Sequence, residues 1–389
     1  MNLPGETRLS PGLLRGLSFY PIVCNEVRDQ QSLLTLVFSA FSATLRLRIL
    51  NLDQGISMTK TCITICLLLA CALSGCSEPG SDSQSLIIAT ATAGGTYYPV
   101  GVGIGTLVTE KCAPGILASA INSAGSGENI QMMVNGEAQL AILQGLFGAM
   151  AYAGKGQYDA PVKDIRSITM LWQNVEHFLI RSDAVKTGTV SDLKGLSGLR
   201  YSIGKRFSGT EGSTRTILTA LSISPDEDLQ PEYLGYSPSV QALMDGRIAG
   251  ATVPAGPPVA AATQAFAQMG DGVRLLEFTD GQLETIRSAY PVWSRYVIAA
   301  NTYPGQGKPI QTIAQPNFLS CRADLSTDVV YTITKTIYEN LPYLQNIHSA
   351  TNAMHLDKAI EGLAVPLHPG ALKYYREVGI DVPDHLIAG

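Results

Sequence analysis

The sequence predicts an α/β chain folded into two similar lobes, on three observations. The apolar run Ser85-Leu86-Ile87-Ile88-Ala89 reads as a strand and ends in Ala93-Gly94-Gly95-Thr96-Tyr97-Tyr98-Pro99, where the pattern turns helical. The same order of strand, glycine, hydroxyl and helix returns at 199–221, through Lys205-Arg206-Phe207-Ser208-Gly209-Thr210-Glu211. The composition is 46% hydrophobic and 15% charged with 38 glycines, which suits large buried cores and many tight strand-to-helix turns.

The elements follow in order. Residues 85–90 form a strand, and 98–110 carry Val100, Ile104, Leu107 and Val108 at helical spacing, stopping near Pro114-Gly115. Residues 116–123 alternate like a strand, and Ala124-Gly125-Ser126-Gly127 opens a helix over 128–135. Residues 137–144 are a strand ending in Gln144. This is βαβαβ, whose ligand edge is the carboxyl edge of the strands. Two extended patches lie within 165–181. A second unit follows, with strands at 199–204, 230–234, 249–253 and 273–278 and helices at 214–221, 237–245 and 259–269. The prolines of Pro254-Ala255-Gly256-Pro257-Pro258 stop the third of these strands. The chain returns through a strand at 310–323 broken by Pro316, an amphipathic helix at 328–341, and helices at 357–363 and 371–378. The expected division is 85–173 with 318–389 as one lobe and 174–317 as the other, with hinges near 174–180 and 312–319.

A length of 389 residues fits two domains, and the formal charge of -5 with no basic run argues against nucleic acid. Met58-Thr59-Lys60, the run to Ala72, and Leu73-Ser74-Gly75-Cys76 before the polar stretch 77–84 resemble a bacterial lipoprotein signal. Residues 58–75 are then the signal peptide, Cys76 is the lipidated first residue of the mature chain, and 76–84 are a tether. Residues 1–57 are a doubtful extension, best explained by a start codon placed too early. Cys112 and Cys321 remain in the folded part; two isolated cysteines are more often buried apolar groups than a disulfide.

Five motifs in order, namely Gly94-Gly95-Thr96-Tyr97-Tyr98-Pro99, Gly209-Thr210-Glu211, Thr302-Tyr303-Pro304-Gly305-Gln306, Pro316-Asn317-Phe318-Leu319, and Pro366-Leu367-His368-Pro369-Gly370-Ala371 with Tyr374-Tyr375, resemble the TAXI family of solute receptors of TRAP transporters. The resemblance spans 85–381. It implies a two-lobed periplasmic-binding-protein fold of the type II, Venus-flytrap kind. It also implies a small carboxylate ligand and a TRAP membrane permease driven by an ion gradient as partner. A binding lipoprotein of an ABC importer or sensor system is the nearest alternative, and a hydrolase a distant one. No Gly-x-Ser-x-Gly elbow and no metal-spaced histidine pair is present, so neither a catalytic residue, a metal nor a cofactor is expected.

The candidate ligand contacts are Gly95, Thr96, Tyr97, Ser126, Gln144, Lys205, Ser208, Gly209, Thr210 and Gly256. Helix N-termini present free N–H groups and a positive dipole end, which suit an anion. The sequence departs from the family in two places. Gly145 and Leu146 stand where a hydroxyl and an Asp are common, which removes a partner for a ligand amino group. Lys205, Arg206 and Phe207 stand where small residues are usual; either cation turned into the cleft selects a more negative guest, whereas both lie in solvent if the loop is merely surface. Together these favour a dicarboxylate, keto acid or other anion over an amino acid. Intact-mass analysis of the native protein is expected to show a chain beginning at lipidated Cys76; a product retaining Met1 sinks the lipoprotein assignment.

Overall fold

A computed structural model describes residues 84–112 and 115–388, which belong to one compact unit. The signal peptide, Cys76 and nearly all of the tether lie outside the described residues.

The first sheet contains β1 (Gln84–Ala89), β2 (Ile116–Ile121) and β3 (Leu140–Gln144), with β1 central and parallel to both others. The long strand β11 (Ile310–Arg322) runs antiparallel to β3, to β4 (Ile165–Val175) and to β10 (Ser294–Ile298). The second sheet has the order β7 (Gln230–Glu232), β6 (Arg200–Ser202), β8 (Gly250–Thr252), β5 (Phe178–Arg181), β9 (Val273–Leu275). Its β6 is parallel to β7 and β8, while β5 is antiparallel to β8 and β9. The architecture is therefore mixed α/β on two sheets, the class that the alternation of strand and helix signals predicts.

Helices cover both sheets. They are α1 (Tyr97–Lys111), α2 (Ser126–Val134), α3 (Gly145–Ala153), α4 (Gly209–Ala220), α5 (Tyr236–Met244), α6 (Ala260–Met269), α7 (Asp280–Ala289), α8 (Thr327–Glu339), α9 (Leu341–Ile347) and α10 (Pro369–Glu377). In α8 the buried Val330, Ile333, Thr334 and Ile337 recur at helical spacing and form one stripe. Strand β5 alternates: Phe178 and Ile180 enter the core shared with α4, and Leu179 enters the core under α5 and α6.

Two chain crossings join the sheets. Strand β4 passes into β5 through Glu176 and His177, and β11 runs alongside. The crossings are tied together: Glu176 N donates to Ile313 O at 2.9 Å, and Thr312 Oγ1 donates to Glu176 O at 2.7 Å.

Several elements differ from expectation, each for a local reason. Helix α4 begins at Gly209 rather than 214, because Ser208 caps it: its Oγ accepts from Glu211 N at 3.0 Å. Strand β11 continues through Pro316, where the pairing with β4 shifts register and a proline's missing N–H is tolerated. Helix α3 carries no amphipathic signal because it is buried nearly all round, and it follows Gln144 without a loop. At 357–363 there is one turn of 3-10 helix, Leu356–Lys358, and no α-helix. Cys112 and Cys321 are both free thiols, with Cys321 fully buried.

Gly250 marks a close approach between strands. A Cβ there would lie 2.4 Å from Leu179 O and 2.5 Å from the Tyr201 ring. Gly250→Ala is expected to lower stability by about 1–3 kcal/mol, read as a lower urea midpoint; an unchanged midpoint contradicts this packing.

Candidate functional site

The carboxyl ends of six strands from both sheets point at one small cavity. Its walls include Thr92, Gly95, Thr96 and Tyr97 after β1, Gly125 and Ser126 after β2, and Gln144 at the end of β3. From the second sheet come Gly209 and Thr210 after β6, Tyr236 after β7, and Pro254 and Ala255 after β8. Asn174 of β4 completes it. The cavity volume is about 20 Å³, room for about one water, so admission of an organic solute requires the walls to part.

Three helices of 15, 9 and 12 residues, α1, α2 and α4, begin at this cavity. Their first N–H groups have no partner within the helix, and each dipole end favours an anion by about 0.3–1 kcal/mol when exposed and more when buried. No Asp, Glu, Lys or Arg side chain lines the cavity. Glycine makes the convergence possible. A Cβ on Gly209 would lie 2.8 Å from Gln144 Oε1 and from Ser126 Oγ, and Gly125 has φ 124°, a backbone that favours glycine.

The walls are hydrogen-bonded to each other across the cavity. Thr96 Oγ1 donates to Gly256 O at 3.0 Å, Ala261 N to Gly94 O at 3.2 Å, and Glu128 N to Phe207 O at 3.0 Å. Phe207 adopts φ 62° to present that carbonyl, unusual for a bulky residue. Tyr97 OH donates to Asn317 Oδ1, and the hydroxyls of Thr210 and Tyr236 are 2.9 Å apart.

The floor near the crossings is polar and short of partners. Gln144 Oε1, both amide atoms of Asn174, both carboxyl oxygens of Glu176, Gln315 Nε2 and Asn317 Nδ2 are buried without a hydrogen bond. Such groups are uncommon in protein interiors. Burial pushes the Glu176 carboxyl up to about 8, against a slight opposing effect of the nearby Ser213 hydroxyl. Burial likewise pushes Tyr97, Tyr201 and Tyr236 upward, with Glu176 contributing to all three. The next residue, His177, is held down to about 4 by burial. Its neutral ring donates from Nδ1 to Val175 O at 2.8 Å and accepts at Nε2 from Tyr303 OH at 2.7 Å. Tyr303 OH in turn accepts from Val259 N at 3.1 Å. The Tyr303-Pro304-Gly305-Gln306 motif therefore braces the crossing.

Residues 88–379 match the NMT1-like family, well over half of the chain. The chain belongs to the NMT1-like family. Among solved structures this NMT1-like protein is similar to MatC from Rhodopseudomonas palustris with bound malate, at 13% identity over 75% of this chain and 95% of that one, TM-score 0.47. It is also similar to the periplasmic aliphatic sulphonate binding protein SsuA from Escherichia coli, at 13% identity over 76% and 83%, TM-score 0.40. A third is the ligand binding component of an ABC-type import system from Staphylococcus aureus with zinc bound, at 12% identity over 70% and 79%, TM-score 0.42.

Of the sequence-derived candidates, Gly95, Thr96, Tyr97, Ser126, Gln144, Gly209 and Thr210 come together around the cavity. Three do not line it. Lys205 is exposed on the loop before α4, as is Arg206, whose guanidinium lies 3.7 Å over the Tyr233 ring; the cation pointing into the cleft is thus corrected to a solvated one. Ser208 is buried, but its hydroxyl is engaged as the helix cap. Gly256 contributes its carbonyl to Thr96 from behind the wall, and a Cβ on it would strike Trp172 at 2.6 Å. Sequence reasoning missed Asn174 and Tyr236. Asn174 sits near the end of β4, but a lone Asn there carries no motif.

Ser213 donates to Thr210 O, and His368 accepts at Nδ1 from Gly370 N as the cap of α10, so neither is poised as a nucleophile or base. Among the described residues no group of three His, Cys, Asp or Glu is placed to hold a metal, and no helix is long and apolar enough to cross a membrane.

The two buried acids and bases set opposite pH dependences. Glu176 ordinarily titrates near 4.5 and does so here near 8, so between these values only the native state holds its proton and stability falls as pH rises. His177 ordinarily titrates near 6.5 and here near 4, so between these values only the unfolded state is protonated and stability rises with pH. The slopes oppose each other between pH 4.5 and 6.5, leaving the Glu176 loss alone between 6.5 and 8, at up to about 1.4 kcal/mol per pH unit. Urea unfolding at pH 5, 6.5 and 8 is expected to show this fall in the wild type and its disappearance in Glu176→Gln. Parallel profiles for the two proteins contradict it.

Proposed function

We propose that this protein is an extracytoplasmic solute-binding receptor. It captures a small organic anion between two lobes and passes it to a membrane permease of the TRAP type. The observation that carries this is the convergence of three helix N-termini from both sheets on a cavity with no acidic side chain in its wall. Residues 85–173 and 318–389 act as one jaw and 174–317 as the other, and the two tied crossings act as the hinge. The anion bridges both jaws and shifts the population toward the closed arrangement. Recognition needs no covalent step, so the protein is not an enzyme in this reading.

The TRAP assignment rests on the five ordered motifs resembling the TAXI receptors, and the location on the lipoprotein-type stretch ending at Cys76. A lipid on Cys76 holds the receptor at the membrane outside the cytoplasm. The neighbouring genes discriminate transport systems: a large TRAP permease gene supports this assignment, and an ATPase gene moves the receptor to an ABC importer.

Gly209 is a position at the cavity where the jaws approach closely. Gly209→Val is expected to weaken the tightest-bound carboxylate of a thermal-shift screen by at least tenfold, because closure over Gln144 and Ser126 is blocked. The unliganded variant is expected to melt within a few degrees of the wild type. Undiminished affinity places the cleft elsewhere.

A further inference from the structure

We propose that a second cavity, bordered by Trp172 and Gly256, is a binding site for a small uncharged polyhydroxylated molecule, a sugar or cyclitol. The inference goes beyond the receptor reading and does not depend on it.

The cavity is built from four parts of the chain. Strand β4 contributes Trp172 and Gln173, the segment after β8 contributes Gly256, β10 contributes Tyr296, and the 3-10 turn Ser349–Ala353 contributes Ser349 and Asn352. Its volume is about 310 Å³, against about 20 Å³ for the cavity between the helix ends, and no residue lines both. That size lies at the lower end of small-molecule sites, about 300–1,000 Å³. Neighbours in a regular strand face opposite sides, yet Trp172 and Gln173 line the same cavity. The pairing of β4 with β11 explains this. It shifts register between Gln173 opposite Pro316 and Met170 opposite Phe318, and such a bulge re-aims a side chain.

Three observations assign the guest. First, Trp172 Nε1 and Gln173 Oε1 are buried without a hydrogen-bond partner, and Trp172 is 1% exposed. An indole N–H can only donate and an amide oxygen can only accept, so the lining lacks one partner of each kind. Hydroxyl groups supply both, and each buried polar atom left unpaired costs about 1–3 kcal/mol. Second, no Asp, Glu, Lys, Arg or His lines the cavity, so an ion would be taken out of water with no countercharge. The backbone turn beside it offers no anion site either: Ala350 N already donates to His348 Nδ1 at 3.1 Å and Thr351 N to His348 O at 3.0 Å. Third, the remaining side chains are of two kinds. The rings of Trp172 and Tyr296 give flat apolar contact, while Ser349 and Asn352 stand exposed at the rim with a hydroxyl and an amide. A sugar or cyclitol ring matches both, with C–H groups on its faces and hydroxyls around its edge.

The two cavities are close, and a test must tell them apart. The Trp172 ring stands edge-on to that of Tyr97 with centroids 6.1 Å apart, and Gly256 O accepts from Thr96 Oγ1. Tyr97 and Thr96 line the first cavity.

The full chain is titrated with glucose, galactose and myo-inositol, and with glucuronate, galacturonate and myo-inositol phosphate as their charged counterparts. Calorimetry reads affinity, and tryptophan fluorescence reads occupancy, since Trp172 is one of two tryptophans in the chain. At least one neutral probe is expected to bind with a Kd of about 1 mM or tighter and about tenfold more tightly than its charged counterpart. Gln173→Leu and Asn352→Ala are each expected to weaken it by about three- to tenfold, the worth of one hydrogen bond. Gly209→Val, which obstructs the other cavity, is expected to leave it unchanged. Asn352 is exposed, so Asn352→Ala reads the site even if Gln173→Leu does not fold. Three results overturn the proposal: no neutral probe binds, a charged counterpart binds as well as its neutral partner, or affinity falls in Gly209→Val and not in Asn352→Ala, which moves the polyol into the cleft. Affinity that neither Asn352→Ala nor Gln173→Leu lowers overturns it as well.

Discussion

Everything at the site depends on helix N-termini, whose first N–H groups have no partner within their own helix. A helix leaves its first donors unpaired by construction, and here three such ends are brought to one point from two sheets. The parallel strands decide this, because each strand delivers its helix at its carboxyl edge. The glycines at 125 and 209 decide how near the ends can come, since a side chain at 209 would occupy the space of Gln144 and Ser126. A concentration of partial positive charge thus arises without a lysine or arginine. In the proposed receptor, which must also release its guest, a buried formal cation would bind by charge at greater desolvation cost.

The α/β class and the two repeated strand–glycine–helix units were legible because each depends on short-range chemistry. An apolar run, a glycine turn and a capping hydroxyl carry their own signal, as at 85–99 and 199–213. Seven of the ten candidate contacts line the cavity for the same reason: they sit at strand ends, which sequence can locate. The misses have one cause in common. Helix α3 is buried on nearly every side and so has no polar stripe to betray it. Lys205 and Ser208 lie in the right loop, but which side chain turns inward depends on the cap at Ser208 and the backbone at Phe207. Glu176 owes its character to burial between elements far apart in the chain, and nothing in Asn174-Val175-Glu176 announces it.

Of the two arrangements that the sequence leaves open for the loop at 205–206, the structure takes the solvated one. The basic residues of the loop at 205–206 face solvent, where Arg206 stacks on Tyr233. The titratable acid is at the floor, next to a histidine that burial keeps neutral. This explains how one strand connection can carry an ionisable pair without a salt bridge: Glu176 and His177 are consecutive, and the histidine is committed to Val175 O and Tyr303. The histidine belongs to the frame and the glutamate to the floor.

In the proposed receptor the two tied crossings also set the sequence of events in time. Two strands joined side by side, by Glu176 N to Ile313 O and Thr312 Oγ1 to Glu176 O, would act as one line of rotation between the jaws. Points on that line barely travel, while loops far from it sweep the widest arc. Gln144, Asn174 and Glu176 lie beside the line; Gly94, Phe207 and Ser237 lie where the jaws meet. In that reading, a solute entering the parted jaws is met first by the floor, which barely moves, and only later by the walls.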